Sequence, residues 1–481
     1  MNSKKIIFIL FCILLHTTSM IFAQDTLQWS LEQCIQYALE NNLQIKRQSL
    51  VSQNGITDLK SANSNRLPNL TGNYGYQFNF GRSIDQSTNQ FVTTKTQNSN
   101  VSLRSNVNIF NGFKNQNTIQ KNRLGLAYNK YQLEAVQNDI TIAVLNAFLN
   151  ILVQKDNLDN LKNQYKVSKK QLYQTKRFVT IGTKAKKELL QIQSQMAKEQ
   201  SNIITAQNNI DLAYLDLTQL LNLSPEQNFS IIIPENIDVN LSLIDSATTL
   251  NKLVTDALPN RPKVQGANIA IEMSKKNIAI ERSNKIPTLS ANWSLSSFYS
   301  SRGKKKSGAF VTNQQSIGYL VSNPSEFVAT DVTSPLYVNE KYFSQLNSNM
   351  GQAAGIGLSI PIFNRFQTKF RIDKAKVSYL DSKYQAEQTK NSITKDMLTA
   401  LTNLKAAEKK YMSTEAELKL TKELFDISEK QYEQNIISFI EYVDAKNQLA
   451  NAKINLLQAK YQLIFNKKIV GFYKGEAISL N

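Results

Sequence analysis

Histidine and cysteine are nearly absent from this sequence of 481 residues. The one histidine, His16, and one of the two cysteines, Cys12, lie close to the amino terminus, and only Cys34 remains beyond them. A single cysteine cannot form an internal disulfide. Without histidine there is no Ser-His-Asp or Cys-His pair, no histidine general base and no histidine-bound metal. We therefore expect no enzyme, no metal site and no cofactor.

Acidic residues are outnumbered by basic ones, 37 against 56, which gives the chain a net charge of +19. Such an excess can indicate a nucleic-acid partner. The lysines and arginines are scattered singly, however, and their densest cluster, "RGKKKSG" (302–308), is bounded by Gly and Ser. The pattern is typical of solvated helix faces and one basic loop. We expect no nucleic-acid partner.

Proline is missing from two long stretches, between Phe113 and Pro225 and from Phe366 to the end of the sequence. Each stretch contains one candidate break, "VTIGTK" (179–184) in the first and "EQNIIS" (433–438) in the second. Uninterrupted helices are therefore predicted on both sides of each break. At 1.5 Å per residue the first would be roughly 100 Å long, which is more than a globular protein needs.

The first 23 residues have the pattern of a secretory signal peptide. Lys4 and Lys5 precede the apolar run "IIFILFCILL", and the small residue Ala23 ends the segment. The run is too short to span a bilayer as a helix. No cysteine follows directly after Ala23, so no lipoprotein anchor is predicted. Removal of the signal peptide leaves 54 basic and 37 acidic residues in an exported chain, a net charge of +17.

The predicted helices carry an apolar residue at every seventh position. All twenty members of this column are apolar, whereas a composition of 41% hydrophobic residues supplies about eight by chance. A sustained heptad column indicates a coiled-coil seam. The members are Val144, Ile151, Leu158, Tyr165, Leu172, Leu189, Met196, Ile203, Ile210, Leu217, Met397, Leu404, Tyr411, Leu418, Phe425, Tyr442, Leu449, Leu456, Leu463 and Val470.

The sequence is an internal duplication. "LPNLTGN" (67–73) corresponds to "IPTLSAN" (286–292) at an offset of 219 residues, and "NIFNGF" (108–113) corresponds to "PIFNRF" (361–366) at an offset of 253. The second copy therefore holds 34 extra residues, and its Ser-, Asn-, Gly- and Pro-rich segment 300–350 is predicted to be a surface loop. Each copy has the order helix, strand, strand, long helix pair.

The domain boundaries follow from this duplication. The signal peptide covers 1–23, the first repeat 24–224, a linker 225–247 and the second repeat 248–481. Within the linker, the run "FSIIIP" predicts a small equatorial strand that packs near the carboxy-terminal "GFYKGEAISL".

Four segments alternate between apolar and polar residues, as two-faced strands do. They cover about 70–80, 101–110, 288–297 and 353–363. The helices already bury their apolar seams on one another and do not cover the strands. Lipid is therefore the remaining apolar medium for the apolar faces of these strands. We expect one set of side chains to contact lipid, namely Tyr74, Tyr76, Phe78, Phe80 and Trp293. The opposite set, Asn73, Gln77 and Asn79 among them, is expected to contact water.

Strands in lipid must close into a barrel, because an open edge leaves backbone groups without hydrogen bonds. Bacterial barrels have an even number of strands, from eight upward. One chain supplies four, so two chains would supply eight and three would supply twelve.

Taken together, these features resemble those of the outer-membrane efflux protein family, the TolC-like channel-tunnels. The resemblance rests on the signal peptide, the duplicated halves, the motifs "LPNL" and "IPTL" before the strands, and "IFNGF" and "IFNRF" after them. It implies a mostly α protein with a membrane β-barrel, a homotrimer with a 12-stranded barrel in outer-membrane lipid and a helical tunnel across the periplasm. It implies the passive exit channel of a tripartite efflux or type I secretion system. The implied partners are a periplasmic adaptor (membrane fusion) protein and an inner-membrane RND or ABC transporter.

The resemblance also implies a periplasmic gate at the helical turns. Tyr432 matches the family's gating tyrosine, and Glu188 matches a carboxylate that holds it closed. Glu441 and Asp444 match two carboxylates whose threefold copies ring the entrance, where they would attract cations and disfavour anions. Two positions depart from the family. Asn435 replaces the usual turn glycine, and Ile437 stands where some members carry a latching arginine.

Alternatives remain at this stage. Acidic residues early in a helix are stabilised by its dipole and need no gate to explain them. A secreted structural or adhesive coiled-coil protein would share the heptads and the signal peptide, but would have no use for the four strands. The sequence does not separate export of small molecules from export of proteins.

Overall fold

The structure is a computed structural model, and it describes residues 27–84, 89–93, 95–224, 229–233, 253–434 and 436–480. The predicted signal peptide lies outside these residues. The chain divides into two compact units. A helical unit comprises the described residues within 1–55, 125–271 and 381–481, and a sheet unit comprises those within 56–124 and 272–380.

The secondary structure follows the predicted order of helices and strands in both halves. In chain order the elements are β1 (Leu27–Trp29), α1 (Leu31–Asn41), α2 (Leu43–Ser64), β2 (Asn69–Asn79), β3 (Arg82–Ile84), β4 (Phe91–Thr93), β5 (Thr96–Asn111), α3 (Lys114–Thr180), α4 (Lys186–Leu221), β6 (Phe229–Ile231), α5 (Pro262–Ser283), β7 (Thr288–Ser300), β8 (Lys304–Leu320), β9 (Asn323–Asn339), α6 (Tyr342–Ser348), β10 (Gly351–Ser359), α7 (Gln367–Glu433) and α8 (Phe439–Lys474).

The duplication is exact in the helix lengths. Helices α3 and α7 have 67 residues each and begin 253 positions apart, and α4 and α8 have 36 residues each at the same offset. Helices α2 and α5 have 22 residues each and begin 219 positions apart. The prediction of long helices in two repeated halves is confirmed.

The duplication extends to the junction between strand and helix, which has the same backbone conformation in both repeats. Gly112 and Phe113 have φ angles of 63° and 65°, and their counterparts Arg365 and Phe366 have φ angles of 54° and 59°. Each phenylalanine packs edge-on against the one three residues earlier, at 5.3 Å in the first repeat and 5.4 Å in the second. Two consecutive left-handed residues thus turn the chain from strand into helix in both halves.

The heptad column is packed as predicted. None of its twenty members is exposed, and Val144, Ile151, Met397 and Leu217 are fully buried. Leu158, 22 residues before the end of α3, and Ile210, 24 residues after the start of α4, pack in one cluster, so the two helices run antiparallel. Packing of this seam, rather than intrinsic helix propensity, stabilises helices of this length.

The largest core lies in the helical unit around the middle of α3. Leu145, Phe148 and Leu152 are at most 1% exposed and pack with residues of α1, α4 and α8. Helix α3 contains a stretch that is apolar and long enough, by length and composition, to cross a membrane, and the buried side chains in the middle of the helix belong to this core. Strand β6 pairs in parallel with β1, and both Ile231 of β6 and Leu480 at the carboxy terminus belong to the same core.

The sheet unit contains one four-stranded antiparallel sheet with the order β10-β7-β5-β2. Its register places the apolar residues of all four strands on one face, because directly paired residues in an antiparallel ladder share a face. The pairs on this face include Tyr74–Val101, Leu103–Leu295, Ser105–Trp293, Trp293–Ala354 and Leu289–Leu358. The other face carries mostly Ser, Asn, Thr and Gly.

Two strand details differ from the predicted alternation. The ladder between β5 and β7 shifts between Asn108 and Phe110, so Phe110 rather than Ile109 pairs on the apolar face, opposite Leu289. This is a β-bulge, which inserts one unpaired residue. Strand β10 ends at Ser359, short of the predicted 363, and Pro361 has no N–H to continue the ladder.

The predicted surface loop 300–350 is wrong. Strands β8 and β9, with 17 residues each, pair there as a long antiparallel hairpin, and helix α6 follows them. The many polar residues indicated a loop, but an exposed hairpin needs no continuous apolar face. Helix α6 packs against β7 through Gln345, which is 2% exposed and exchanges two hydrogen bonds of 3.0 Å with the backbone of Ser300.

Candidate gate at the turns of the long helices

A segment of five residues connects the two helices of each long pair. The first turn, 181–185, joins α3 to α4 and contains Gly182 at a φ of 80°. The second turn, 434–438, joins α7 to α8. Asn435, the predicted replacement of the turn glycine, lies outside the described residues.

An aromatic cluster joins the two turns. Tyr432 near the end of α7 is 7% exposed and stacks on Tyr442 of α8, with ring centroids 4.9 Å apart and an interplanar angle of 23°. Ile192 of α4 and Phe439 of α8 complete the buried part of the cluster, and Ile437 packs at its side. Residues from both repeats therefore hold the tyrosine in place.

The structure brings Tyr432 and Glu188 together. The Tyr432 hydroxyl donates a hydrogen bond of 3.2 Å to Oε2 of Glu188 in the first turn of α4. Because one residue belongs to each repeat, the bond ties the two turns to each other. This is the contact that the family resemblance implies for a closed gate.

Lys184 is part of the same arrangement, and the sequence analysis missed it. Its Nζ lies 3.2 Å from Oε2 of Glu188 and 3.9 Å from the centroid of the Tyr432 ring. Its side chain is only 12% exposed. The available signal was the spacing of Lys184 and Glu188, because oppositely charged residues four apart are neighbours on a helical turn. One ammonium therefore contacts both predicted gate residues.

The protonation states suit these contacts. Burial acts to lower the pKa of Lys184, but the Tyr432 hydroxyl and the Glu188 carboxylate outweigh it, and the pKa lies above its ordinary value. Burial raises the pKa of Tyr432, against the opposing effect of Lys184. At neutral pH the lysine is charged and the tyrosine keeps its proton. The site thus combines a cation, a hydroxyl donor and a carboxylate acceptor.

Glu441 and Asp444 lie elsewhere, on the exposed side of α8. Glu441 forms a capping box with Ser438. Its Oε2 accepts from the Ser438 backbone N–H at 2.7 Å, and its own N–H donates to the Ser438 hydroxyl at 3.3 Å. Hydrogen bonding from the backbone N–H of Ser438, and next from its side chain, holds the pKa of the Glu441 carboxyl below its usual value. Asp444 accepts from the side chain of Gln448 at 2.8 Å.

The capping box gives Glu441 a structural role of its own. Because the pKa is lowered in the folded chain, this contribution is present above the ordinary carboxyl pKa and is lost as the pH falls through the lowered value. The helix-start explanation considered from the sequence therefore applies to Glu441.

The described residues contain no cluster of His, Cys, Asp and Glu side chains suited to a metal ion. A cleft of about 560 Å³ opens beside the gate, lined by Lys170, Lys184, Glu429 and Glu433 among others. Burial, with the neighbouring Glu433 and Asp426 carboxylates, raises the pKa of Glu429. The cleft offers charges of both signs.

Duplicated strand pairs, apolar on one face, and equally long duplicated helix pairs that meet at a buried tyrosine define a channel of the outer-membrane type. Comparison with known proteins agrees. The family described as "Outer membrane efflux protein" matches residues 34–223 and 253–466. The chain belongs to the outer membrane efflux protein family.

Relatives and solved structures support this assignment. The chain is 22% identical to outer membrane protein TolC of Escherichia coli (strain K12) over 442 residues, 91% of this chain and 80% of that protein. Its fold matches that of the CusC channel with a TM-score of 0.72 at 16% identity, over 93% of this chain and 92% of that one. It also matches the CmeC outer membrane channel of Campylobacter jejuni with a TM-score of 0.72 at 15% identity, over 94% and 86%.

Family membership confirms the predicted location and class. The chain is an exit channel of the cell outer membrane with its helices in the periplasm, and the proteins it resembles are channels rather than enzymes. A secreted structural or adhesive coiled coil is no longer a competing interpretation.

Proposed function

We propose that three copies of this chain form one channel that is the outer-membrane component of a tripartite efflux or type I secretion system. In this proposal each copy gives four strands to a 12-stranded barrel, and the long helices continue the duct through the periplasm. A periplasmic adaptor and an inner-membrane RND or ABC transporter deliver the substrate. The observation that carries the proposal is the way the repeats pair within one chain.

The internal pairing predicts how neighbouring copies join. Strand β5 ends the first repeat's strand pair and β7 begins the second's, and these two strands form an antiparallel ladder. At the offsets of the duplication, β10 corresponds to β5 and β2 corresponds to β7. Both β10 and β2 are edges of the sheet. Repeating the same pairing joins β10 of one copy to β2 of the next, and the ring closes without an open edge.

The same offsets give the register of this seam. Leu103 pairs with Leu295 within the chain, which places Ile356 opposite Tyr76 of the neighbouring copy. Ser105 pairs with Trp293, which places Leu358 opposite Tyr74 of the neighbouring copy. All four seam residues lie on the apolar face, so this face continues across the seam. A slip by one residue would set apolar side chains beside polar ones.

The apolar face of the barrel is proposed to contact lipid. Tyr74, Tyr76 and Phe78 of β2 are 65%, 43% and 50% exposed, and Phe80, one residue beyond β2, is 75% exposed. Trp293 is half-buried in the middle of the sheet. Large apolar side chains exposed together on one face favour a lipid or protein cover over water. The Ser- and Asn-rich face would line the water-filled duct.

The cluster at the turns is proposed to be the periplasmic gate. In the closed state, Tyr432 and Lys184 of one chain are both held by Glu188, which ties the second turn to the first. Ile437 stands where some relatives carry a latching arginine, and Lys184 supplies a cation at the same cluster instead. Glu441 and Asp444 from three copies would add carboxylates around the entrance, where they favour cations.

Cysteine cross-linking tests the assembly. The pair Leu358→Cys and Tyr74→Cys should form disulfide-linked dimers and trimers on mild oxidation. The matched control replaces Tyr74→Cys with Asn73→Cys, whose side chain lies on the opposite face, and should give little product. Cys34 is buried and serves as the unreactive background. Light scattering on the detergent-extracted protein, corrected for detergent, should give the mass of three chains, and a stable monomer would overturn the proposal.

A further inference from the structure

One ion pair is buried in the coiled coil, one to two helical turns away from the aromatic cluster of the candidate gate. Nζ of Lys446 in α8 lies 2.9 Å from Oε1 of Glu199 in α4, and the side chains are 6% and 2% exposed. The other four ion pairs among the described residues are more exposed, with at least one side chain at 28% or above. Two opposite charges thus face each other inside an otherwise largely apolar helix bundle.

Three helices contribute to this cluster. Ser168 of α3 donates to Oε1 of Glu199 at 2.9 Å and accepts a short hydrogen bond from Lys446. Lys446 also donates to the backbone carbonyl of Gln164 at 3.3 Å. Gln195 of α4 donates to Glu199 at 3.0 Å and to Asn447 of α8 at 3.4 Å. The cluster therefore fastens α8, from the second repeat, to both long helices of the first. We call Lys446, Glu199 and Ser168 the clasp.

Packing alone does not require the clasp. At the offset of 253, Lys446 corresponds to Gln193, Glu199 to Ala452 and Ser168 to Thr421. Ala452 is 1% exposed, so the same layer of the other helix pair is filled by an apolar residue. A buried ion pair contributes little net stability, because removing both charges from water costs about as much as their attraction returns. Oε2 of Glu199, moreover, finds no partner among the described residues.

The clasp lies next to the gate along the same helices. Lys446 follows Tyr442 by four residues, one turn of α8, and Tyr442 stacks on the gating Tyr432. Glu199 follows Ile192 of the same aromatic cluster by seven residues, two turns of α4. Tyr432 belongs to α7, so any movement that takes the α7–α8 pair away from α3 and α4 must separate Lys446 from Glu199 as well as Tyr432 from Glu188.

We propose that the clasp is a second lock of the channel, in which Lys446 and Glu199 are positioning residues that set how readily the gate opens. This inference rests on the proposed gate. In the closed state the pair holds α8 in place, and on opening its two charges separate and become hydrated. The equivalent layer of the second repeat's helix pair holds Ala452 in place of Glu199, so the lock acts on the position of α8.

The test replaces both charges by neutral side chains of similar volume, so that no cavity is opened at this buried site. The double variant Lys446→Met/Glu199→Gln removes both charges. We expect it to assemble with an unchanged thermal midpoint and to show at least a tenfold higher open probability in planar bilayers. The conservative variant Lys446→Arg should stay as closed as the unaltered protein. As a control, Lys263→Gln/Asp139→Ala removes an exposed ion pair and should change neither quantity.

The outcomes separate the clasp from the gate. A double variant that assembles normally and opens no more often than the unaltered protein would overturn the clasp. So would a double variant whose opening rises only together with loss of the trimer or of thermal stability. Tyr432→Phe is measured in parallel. If it too leaves the open probability unchanged, the proposed gate itself fails, whereas an effect of Tyr432→Phe alone rejects only the clasp.

Discussion

At the scale of single residues, two equivalent positions differ in whether they can accommodate a side chain. Gly112 and Arg365 both have left-handed backbone at the strand-to-helix junction. A Cβ on Gly112 would lie 2.7 Å from the backbone oxygen of Ser283 and 2.8 Å from Cβ of Ile286. Arg365 already carries a side chain in the same backbone conformation and is exposed. Glycine is therefore required at one junction by packing as well as by conformation.

Exchanging these residues should have unequal effects. Gly112→Arg adds left-handed strain of roughly 1–2 kcal/mol and overpacking of roughly 1–3 kcal/mol, so we expect a loss of at least about 2 kcal/mol. Arg365→Gly relieves the strain but makes the unfolded chain more flexible, and these terms nearly cancel, to within about 0.5 kcal/mol. Thermal unfolding of the two variants measures the difference. Equal destabilisation would contradict the role of Ser283 and Ile286.

A second prediction concerns Lys184. Replacing it by Met removes the ammonium that contacts Glu188 and the Tyr432 ring. A partly exposed ion pair of this kind contributes about 1 kcal/mol, so the ratio of open to closed channels should rise roughly fivefold in bilayer recordings. Lys187→Met is the matched control, because Lys187 is exposed and lies only three residues further along, in the first turn of α4. The same increase in both variants would mean that net charge, rather than the contact, is responsible.

The two exposed carboxylates of α8 give a third prediction. Gln is accepted at the third helical position of a capping box, so Glu441→Gln keeps the cap and removes only the charge. The double variant Glu441→Gln/Asp444→Asn should therefore fold normally, with weaker cation selectivity and weaker block by multivalent cations. Glu441→Ala should also lower stability, because it removes the carboxylate that accepts from the Ser438 backbone N–H. Unchanged reversal potentials in the double variant would remove these residues from the selectivity mechanism.

Sequence reasoning paired Tyr432 with Glu188 but did not find Lys184 or the clasp. The first pair followed from the family resemblance. Lys184 stands among several lysines of one turn, and only the fold shows which of them lies over the tyrosine ring. Lys446 and Glu199 are 247 positions apart, and nothing in a helical charge pattern indicates that either side chain points inward. Contacts between helices of different repeats require the three-dimensional register.

At the scale of elements, helices were easier to predict than the hairpin. The heptad column fixes a helix from many independent positions, so α3, α4, α7 and α8 were predicted with their seams. The hairpin of β8 and β9 has polar and apolar residues on both faces, and its register shifts at three places. Such a pair lacks the period-two alternation that identifies a half-buried strand. The strands of the four-stranded sheet have that alternation and were found.

The hairpin should be dispensable for the sheet. Strands β7 and β10 pair directly with each other from Ser296 and Gly351 onward, and the backbone bond from Glu340 to Gly303 closes the hairpin at its base. Replacing residues 304–339 by a short glycine-containing turn should leave the thermal midpoint and the trimer mass unchanged. A control that also removes α6 uncovers Ser300 and should lower the midpoint. Loss of assembly on removing the hairpin alone would show that it joins neighbouring copies.

At the scale of the whole molecule, one repeat explains most of the architecture. A strand pair has two open edges, and these cannot stay without hydrogen bonds in lipid. Placing a second, equivalent copy beside the first satisfies one edge, and the remaining edges require further chains. The sequence therefore indicates a closed assembly through its own duplication. The number of chains does not follow from the duplication, because two or three copies would both give an even number of strands.

The equality of the helix lengths has a consequence for how this chain can change over generations. An inserted heptad in α3 and α4 alone would carry the first turn about 10 Å past the second, and Glu188 would no longer reach Tyr432. A longer or shorter tunnel would thus require the same insertion in both halves at once. The helices of the two halves must therefore keep equal lengths, and the length of the tunnel is constrained by both halves together.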